Sequence, residues 1–365
     1  MLKDSPVSGS SSISDIVPHS SPTLGDAEEA ALLRVIRSGH PAGGPEVVSL
    51  ENEIAEYFSH PGAAATGSGS QALLLALMSL DLREGARVAL PAFTCSAVLH
   101  AVEWSGAEPV LLDLAEGEIA PDPAALDAVD GPIDAVIVVH PWGYPLDSAI
   151  WKETVPIVIE DCAQSIGALR NTVPVGTVGD AAILSFYATK MLCAGEGGMI
   201  SAPERTVVDR ARDLRDYDGK QDRAPRFNFK MSDLQAALAR VQWSRLTEFL
   251  DRRSVIAERY HEPIKAVGLN PVMPAPESTA SWYRYLCWSP TDITKLLEFC
   301  SHHGVHCRRP VPVTLDRYIQ GAPLSNTGEA WNRLISIPIY PSLTEDQQNH
   351  VLSVLQTAAE QGLIG

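Results

Sequence analysis

The chain of 365 residues contains few cysteines and no long apolar segment, and both features limit the classes of protein it can form. Its six cysteines are scattered and include no Cys-x-x-Cys pair, as in proteins whose thiols stay reduced. No stretch approaches the run of about 18 apolar residues that a membrane span requires. Residues 1–22 lack the basic start and the apolar core of a signal peptide. We therefore expect a cytoplasmic protein that does not cross a membrane.

Basic residues are also scarce, since 28 Lys and Arg face 45 Asp and Glu and leave a formal charge of -17. The average field of such a protein repels polyanions, so neither a nucleic acid nor an anionic membrane surface is expected as a partner. A local phosphate site stays possible, because backbone amides at a helix end bind an anion even in an acidic protein. The 45% of hydrophobic residues is enough to build the core of one large domain and one smaller domain.

Composition and helical spacing divide the chain into three parts. Residues 1–22 are rich in Ser and Pro and are predicted to be a flexible N-terminal segment. An amphipathic helix follows, with Asp26 as its predicted N-cap. Residues 23–249 are assigned to the large domain. A long helical stretch then leads into a small C-terminal domain over 250–365, where helix and strand signals are mixed.

Five short apolar runs in the large domain are continuous rather than alternating. Strands that are buried on both faces have this pattern, which predicts a mainly parallel sheet with helices on each side. In such sheets ligands bind at the carboxyl ends of the strands, so the residues that end these runs are the first candidates for a site. The runs are 87–90, 109–112, 135–139, 156–159 and 181–184.

Three segments carry groups suited to chemistry. In the small-residue turn 67–73, backbone amides and a helix dipole would bind a phosphate, although Ser70 could instead be an ordinary N-cap. Asp161 follows a buried strand, where an ionised carboxylate needs a partner; a protonated pyridine nitrogen, a helix N-cap or a salt bridge would each provide one. Lys190 follows another strand. Desolvation could make it an amine nucleophile, whereas a lone lysine is most often a solvated charge.

Each of these segments alone is weak evidence for a functional site, but four motifs in a fixed order and spacing are strong evidence. The sequence closely resembles the DegT/DnrJ/StrS family, which are sugar aminotransferases of the fold-type-I class that use pyridoxal 5'-phosphate (PLP). The resemblance implies an α/β fold with a large PLP-binding domain and a smaller C-terminal α/β domain. The motifs are Ser-Gly-Ser-x-Ala-Leu at 68–73, Glu-Asp-x-Ala-Gln at 160–164, Ser-Phe-x-x-Thr-Lys at 185–190 with Gly-Glu-Gly-Gly at 195–198, and Asn-Phe-Lys-Met-Ser-Asp-Leu-Gln-Ala-Ala at 228–237.

Position by position, the resemblance implies a role for each motif residue. Lys190 would carry PLP as a Schiff base and then move a proton, while Asp161 would keep the ring nitrogen protonated. Gln164 would contact the region of the phenolic oxygen. Asn228 would reach the phosphate of the neighbouring subunit's cofactor, which makes a homodimer obligatory. The phosphate would be bound by Gly69, Ser70 and Ser185.

The cofactor end departs from the family at two positions. Cys95 stands where the family has an aromatic ring that stacks on the cofactor, and a thiol gives up roughly 0.5–1.5 kcal/mol of stacking. Phe93 and Trp142 are candidates to replace that ring. Lys230 stands where the family has arginine, and it keeps the charge without the planar fork of a guanidinium.

The substrate end departs over 304–312, a segment that helps to shape the acceptor pocket in the family. Arg308 and Arg309 could bind a carboxylate or a diphosphate there, or be ordinary surface arginines. His140, at a strand end, is a further candidate to line the pocket. The histidines of 302–306 lack the carboxylate or Cys that would complete a metal site, so no metal is expected.

Three functions follow from these observations. The first is a transaminase that moves an amino group from glutamate or glutamine to a ketone of a nucleotide-linked deoxysugar. The second keeps this chemistry and replaces the acceptor by a keto-cyclitol or another keto intermediate of natural-product assembly, since Cys95 and 308–310 depart from the family. The third is a non-catalytic or regulatory PLP-fold protein, which the retention of Lys190, Asp161 and Gln164 disfavours.

Overall fold

The computed structural model describes residues 16–319 and 324–365, and within these ranges helices and strands alternate along most of the chain. The helices are α1 (Asp26–Ser38), α2 (Pro45–Phe58), α3 (Gly69–Ser79), α4 (Ser96–Trp104), α5 (Ala149–Lys152), α6 (Arg205–Leu214), α7 (Asp233–Ser244), α8 (Leu246–Ala266), α9 (Thr294–His302), α10 (Ser325–Arg333) and α11 (Glu345–Glu360). The strands are β1 (Ala63–Thr66), β2 (Arg87–Pro91), β3 (Glu108–Leu112), β4 (Ala135–Val139), β5 (Ile157–Asp161), β6 (Leu169–Arg170), β7 (Val173–Pro174), β8 (Ala181–Ser185), β9 (Gly198–Ser201), β10 (Asn270–Pro271), β11 (Ser278–Thr279), β12 (Tyr285–Trp288) and β13 (Leu334–Ile337).

A seven-stranded sheet in the order β1-β9-β8-β5-β4-β2-β3 forms the centre of the large domain. The neighbours from β8 to β3 are parallel, and only β9 within this sheet is antiparallel to both of its neighbours. Each of the five predicted apolar runs forms one of the parallel strands. The prediction of a mainly parallel sheet is confirmed, while β1 and β9 are two strands that the apolar runs did not indicate.

Helices cover both faces of this sheet, which explains why its strands are apolar without alternation. On one face α3, α4 and α6 bury Leu75, Leu99 and Val208 in a common cluster. On the other face α2 and α7 contribute Ile54 and Ala236 to a second cluster. This layered arrangement confirms the predicted α/β fold class.

The small domain is built on the antiparallel sheet β10-β12-β13 with α9, α10 and α11 around it. Helix α8 contacts both domains: Phe249 packs in a cluster of the large domain, whereas Ile256 and Tyr260 lie in the core of the small one. This change of packing partner along one helix is consistent with the boundary expected at residue 250, which stays a prediction.

The N-terminal segment is described from Ile16 onward, so most of the segment predicted to be flexible lies outside the described residues. The backbone N–H of Val17 donates to the carbonyl of Gly304 at 2.8 Å, and the N–H of His306 donates to Val17 at 3.0 Å. Val17 is buried in the small-domain core. Residues 16–22 therefore differ from the expectation, because they add a short strand-like contact to the small domain.

Helix α1 begins at Asp26 with Gly25, not Asp26, as its N-cap.

The sequence predicted reduced cysteines and no membrane-spanning segment. All six cysteines are free; Cys95 is exposed and the other five are buried. Among the described residues, none of the helices combines the length with the apolar character needed to span a bilayer.

Candidate active site

A cavity of about 530 Å³ opens at the carboxyl edge of the parallel strands. The last residues of β4, β5 and β8 border it, as does the N-terminus of α3, and the small domain closes it from the other side. This is the position at which open α/β sheets bind their ligands. Its lining includes Gly69, Ser70, Phe93, Cys95, Trp142, Asp161, Gln164, Ser185, Lys190, Arg284 and the segment 310–313.

The start of α3 forms a cradle for an anion. Ser68 is the N-cap and accepts a hydrogen bond from the N–H of Gln71 at 3.3 Å, so Ser70 is not the cap and its side chain lines the cavity. A Cβ at Gly69 would lie 2.8 Å from the Cβ of Ser185, and a Cβ at Gly198 would overlap the carbonyl of Ser68. Only glycine fits at both positions. The close approach leaves free amides and the helix dipole beside the Ser185 hydroxyl, an arrangement suited to phosphate.

Asp161, the last residue of β5, faces the cavity and is 8% exposed. One carboxylate oxygen accepts the N–H of Ala163 at 2.9 Å, and among the described residues the carboxylate enters no ion pair. Burial raises the pKa of Asp161, and the Ala163 amide and the Lys190 charge oppose that shift only in part. A ligand cation next to this carboxylate would restore its ionised form, and a protonated pyridine nitrogen has the required charge.

Glu160 precedes Asp161 but points to the other side of β5 and is fully buried. It accepts from the Ser148 hydroxyl at 2.8 Å, from the ring Nε2–H of His140 at 3.0 Å, and from three backbone amides of 176–179. Burial acts to raise the pKa of this carboxyl, but the His140 hydrogen bond and the backbone amides outweigh it and lower the pKa to about 2. Glu160 is therefore a buried structural anion.

His140 belongs to the Glu160 network and not to the cavity. The N–H of Leu146 donates to its Nδ1 at 3.1 Å, which places the ring proton on Nε2, where it donates to Glu160. The side chain is fully buried and does not border the cavity. The expectation that His140 lines the pocket was wrong. Its position after β4 places the residue at the carboxyl edge of the sheet, but it does not determine which way the ring points.

Lys190 lies in the turn after β8, where its N–H donates to the carbonyl of Tyr187 at 2.8 Å. Its half-buried side chain forms no ion pair with any described residue, and Nζ lies 5.7 Å from the centroid of the Tyr283 ring. Gln164 is held nearby, since its Oε1 accepts the N–H of Trp142 at 2.9 Å. The residues predicted for the cofactor, with one exception, thus meet in one cavity.

Asn228 is the exception. It is exposed, pairs through its backbone with Asp216 and does not border the cavity of its own chain. Lys230, which replaces the family arginine, donates to Asp216 at 2.8 Å and to Asp218 at 2.9 Å. The lysine thus ties the segment that carries Asn228 to the loop after α6.

Two aromatic rings lie in the cavity wall close to Cys95. Phe93 and Trp142 pack edge to face with their centroids 5.4 Å apart, and both border the cavity together with the exposed Cys95. Trp142 adopts the left-handed conformation with φ 52 and ψ 22, a backbone state that is uncommon for a bulky residue. Aromatic surface is therefore present although position 95 carries only a thiol.

The substrate end differs from the expectation. Arg308 is exposed, and Arg309 stacks on Trp331 at 4.0 Å and bonds Thr294 at 2.8 Å, so neither guanidinium borders the cavity. Of this segment, only the next residues, 310–313, line the site. Within the described ranges no three His, Cys, Asp or Glu side chains are grouped to hold a metal ion.

Arg284 is a cavity residue that the sequence analysis missed. It precedes β12, and its backbone N–H donates to the carbonyl of Trp142 at 3.0 Å, which brings it from the small domain into the cavity wall. The signal in the sequence is a single charge inside the aromatic run Trp282-Tyr283-Arg284-Tyr285. A charge in such a run is costly to bury unless it meets a partner or a ligand.

A mainly parallel sheet whose carboxyl edge presents to one cavity a buried acid, a glycine-built anion cradle and a lysine without an ion pair to any described residue defines a PLP-dependent enzyme of fold type I. The chain matches the DegT/DnrJ/EryC1/StrS aminotransferase family over residues 22–356 and belongs to that family. It is thus an aminotransferase with PLP as its cofactor. The prediction of this family from four motifs is confirmed.

Individual relatives match over nearly the whole chain. The chain is 29% identical to the spore coat polysaccharide biosynthesis protein SpsC of Bacillus subtilis (strain 168), covering 93% of this chain and 96% of SpsC. The aminotransferase TlmJ from Streptoalloteichus hindustanus is 27% identical with a TM-score of 0.89, covering 95% of this chain and 100% of TlmJ. DesI, whose structure was determined in the presence of its TDP-sugar product, is 25% identical with a TM-score of 0.88, covering 96% and 94% of the two chains.

The Glu160 network makes a prediction about acid stability. Because the pKa of Glu160 falls from 4.5 to about 2 on folding, its ionised form stabilises the fold above pH 4.5, and this stabilisation is lost as the pH falls toward 2. Glu160→Gln should lower the free energy of unfolding near neutral pH by about 3 kcal/mol and flatten its pH dependence in that interval. Urea unfolding at a series of pH values measures both. Exposed Glu298→Gln is the control, and equal acid sensitivity of wild type and Glu160→Gln would contradict the assignment.

The cradle makes a second prediction. Gly69→Ala would press a methyl group against Ser185, and overpacking of about 1–3 kcal/mol would weaken PLP binding about tenfold or more. Titration of cofactor-depleted protein with PLP, followed by visible absorbance, gives the dissociation constant. Gly328→Ala is the matched control, because no atom lies within 4 Å of a Cβ at that helical position. Unchanged PLP affinity in Gly69→Ala would show that the cradle does not bind the phosphate.

Proposed function

We propose that this aminotransferase moves an amino group from glutamate or glutamine to a keto group of a nucleotide-linked deoxysugar, with Lys190 as the residue that binds PLP covalently. The observation that carries the proposal is the joint position of Lys190, Asp161, Gln164 and the Gly69–Ser70 cradle around one cavity. Each group alone has a commoner structural role, and their convergence is what supports the assignment.

The residues divide the chemical work among them. When bound, PLP withdraws electrons from the substrate carbon that loses a proton. Asp161 would hold the proton on the ring nitrogen, since its carboxylate is buried and forms no ion pair with a described residue. The Nζ of Lys190, once displaced by the substrate amine, would take up and return the proton at the reacting carbon. Gly69, Ser70 and Ser185 would bind the phosphate.

A homodimer in the cytoplasm is part of the proposal. Asn228 is exposed on a segment anchored by Lys230 and lies away from the cavity of its own chain. Such a residue is free to reach the phosphate in a second copy. The supporting argument is the family motif at 228–237, which covers Asn228 and the start of α7.

The acceptor is proposed from the relatives. SpsC is a spore coat polysaccharide biosynthesis protein, and DesI was solved with a TDP-sugar product. A keto-sugar is therefore the favoured class of acceptor, and its nucleotide is expected to contribute to binding. One observation favours the keto-cyclitol alternative: Lys190 and Arg284 are the only cationic side chains that line the cavity among the described residues, which leaves few groups for a diphosphate.

Lys190→Ala should abolish turnover and remove the visible absorbance band of the lysine-bound cofactor, because no other described lysine borders the cavity. The band is measured after incubation with PLP, and turnover by loss of the amino donor. Lys265→Ala, at an exposed position of α8, is the matched control and should keep both properties. Full activity of Lys190→Ala would refute the role given to Lys190.

The acceptor is tested with a panel of keto compounds. We expect TDP-linked keto-deoxysugars to be aminated in the presence of L-glutamate or L-glutamine, with the mass change of the product measured by mass spectrometry. The same sugars without the nucleotide should react far less well, because the nucleotide contributes binding energy. The nucleotide-sugar proposal fails if only free keto-cyclitols are aminated.

A further inference from the structure

Arg284 has an unusual environment for an arginine in a cavity wall. It is half-buried and, among the described residues, forms no ion pair with a carboxylate. Its guanidinium donates to Nδ1 of His19 at 2.7 Å and to the hydroxyl of Tyr283 at 3.2 Å. Each of the two terminal guanidinium nitrogens thus uses one N–H in these bonds and keeps a second N–H for another partner. A partly desolvated guanidinium with unused donors is suited to a planar anion.

The position of Arg284 is fixed by neutral partners. His19 donates its Nε2–H to the Ser336 hydroxyl at 2.8 Å and accepts from Arg284 through Nδ1. Burial first, and then the Arg284 charge, hold the pKa of His19 well below its ordinary value, so the ring is uncharged. The arginine is thus oriented without being neutralised. Its charge stays available to a ligand.

Lys190 and Arg284 lie against the same aromatic ring. The Cζ of Arg284 is 4.6 Å from the centroid of Tyr283, and the Nζ of Lys190 is 5.7 Å from it. An α-amino acid carries its amine and its carboxylate on one carbon, so one group can reach the lysine while the other reaches the arginine. The diphosphate of a nucleotide sugar lies several bonds from a keto carbon of the ring. Because both cations lie against one ring, the arrangement favours the compact amino donor over the diphosphate.

We propose that Arg284 binds the α-carboxylate of the amino donor and selects amino acids as donors. The proposal rests on the proposed function, in that it assumes an amino-acid donor reacting at Lys190. Two N–H donors of a guanidinium match two carboxylate oxygens, and this pairing fixes the orientation of the donor as well as its affinity. Such an arrangement makes Arg284 a specificity-determining residue contributed by the small domain.

The test compares two donors in two proteins. L-Glutamate and its α-amide, which lacks the α-carboxylate, are mixed with the holoenzyme, and the loss of the visible band gives kcat/KM for the donor half-reaction. In Arg284→Gln the value for L-glutamate should fall about 100-fold, mainly through KM, as expected for a lost charge-assisted pair. The value for the α-amide should change little, so the preference for the free carboxylate disappears.

Two controls and a second variant separate the possible causes. Hydroxylamine is an amine without a carboxylate, and its rate of removing the visible band should be the same in wild type and Arg284→Gln. Arg37→Gln, at an exposed position of α1, removes the same charge and should leave both donors unaffected. If Arg284→Gln does not fold, Arg284→Lys provides the same comparison with a smaller fall for L-glutamate. Equal values for L-glutamate in wild type and a folded variant, or an equal fall for both donors, overturn the proposal.

Binding of glutarate, a dicarboxylate without an amine, distinguishes this proposal from the proposed function. Calorimetry with the holoenzyme should show glutarate binding to wild type that is weakened about 100-fold in Arg284→Gln. If wild type binds glutarate through Arg284 but no amino acid removes the visible band, the carboxylate site stands and the proposed donor is wrong. If L-glutamate reacts equally in both proteins, the aminotransferase function stands and the role of Arg284 is wrong.

Discussion

The buried carboxylate of Glu160 is the interaction on which the geometry of the site depends. It accepts from His140 and Ser148 and from three amides of 176–179, and so joins the ends of β4 and β5 to the turn that leads into β8. Successive side chains of a strand point to opposite faces, so an anchored Glu160 directs Asp161 into the cavity. A shift of β5 by one residue would leave a buried anion without donors, and the register is therefore set by charge as well as by packing.

The second constraint is the close approach of backbone at the start of α3. β9 runs between β1 and β8, and a Cβ at Gly198 would overlap the carbonyl of Ser68 while a Cβ at Gly69 would press on Ser185. The anion cradle is therefore made by missing side chains and by main-chain amides, not by a cluster of cations. This explains how a protein with a charge of -17 can hold a phosphate at its centre.

Much of this could be predicted from the sequence, because buried parallel strands are continuous apolar runs and the family motifs have a fixed order. β1 and β9 were missed since each is only four residues long and carries a single β-branched residue, Thr66 in β1 and Ile200 in β9. His140 was misassigned for another reason. The sequence locates it at the carboxyl edge of the sheet, but the hydrogen-bond partners of its ring determine where the ring points. Arg284 reaches the site through a backbone bond to Trp142, and no local pattern connects two residues so distant in sequence.

Trp142 links the two halves of the site. Its N–H binds Gln164 at the cofactor end, and its carbonyl accepts the N–H of Arg284 at the substrate end. The left-handed conformation of a tryptophan costs about 1–2 kcal/mol and persists only where the surroundings compensate for it. Here the next residue is held as well, since Gly143 donates to Ser165 and accepts from Ser281 of the small domain. A shift of the small domain would therefore move Arg284 and Gln164 together through one strained segment. The proposed cofactor contact of Gln164 and the proposed donor site at Arg284 are thus linked by hydrogen bonds to one residue, even though Gln164 and Arg284 belong to different domains.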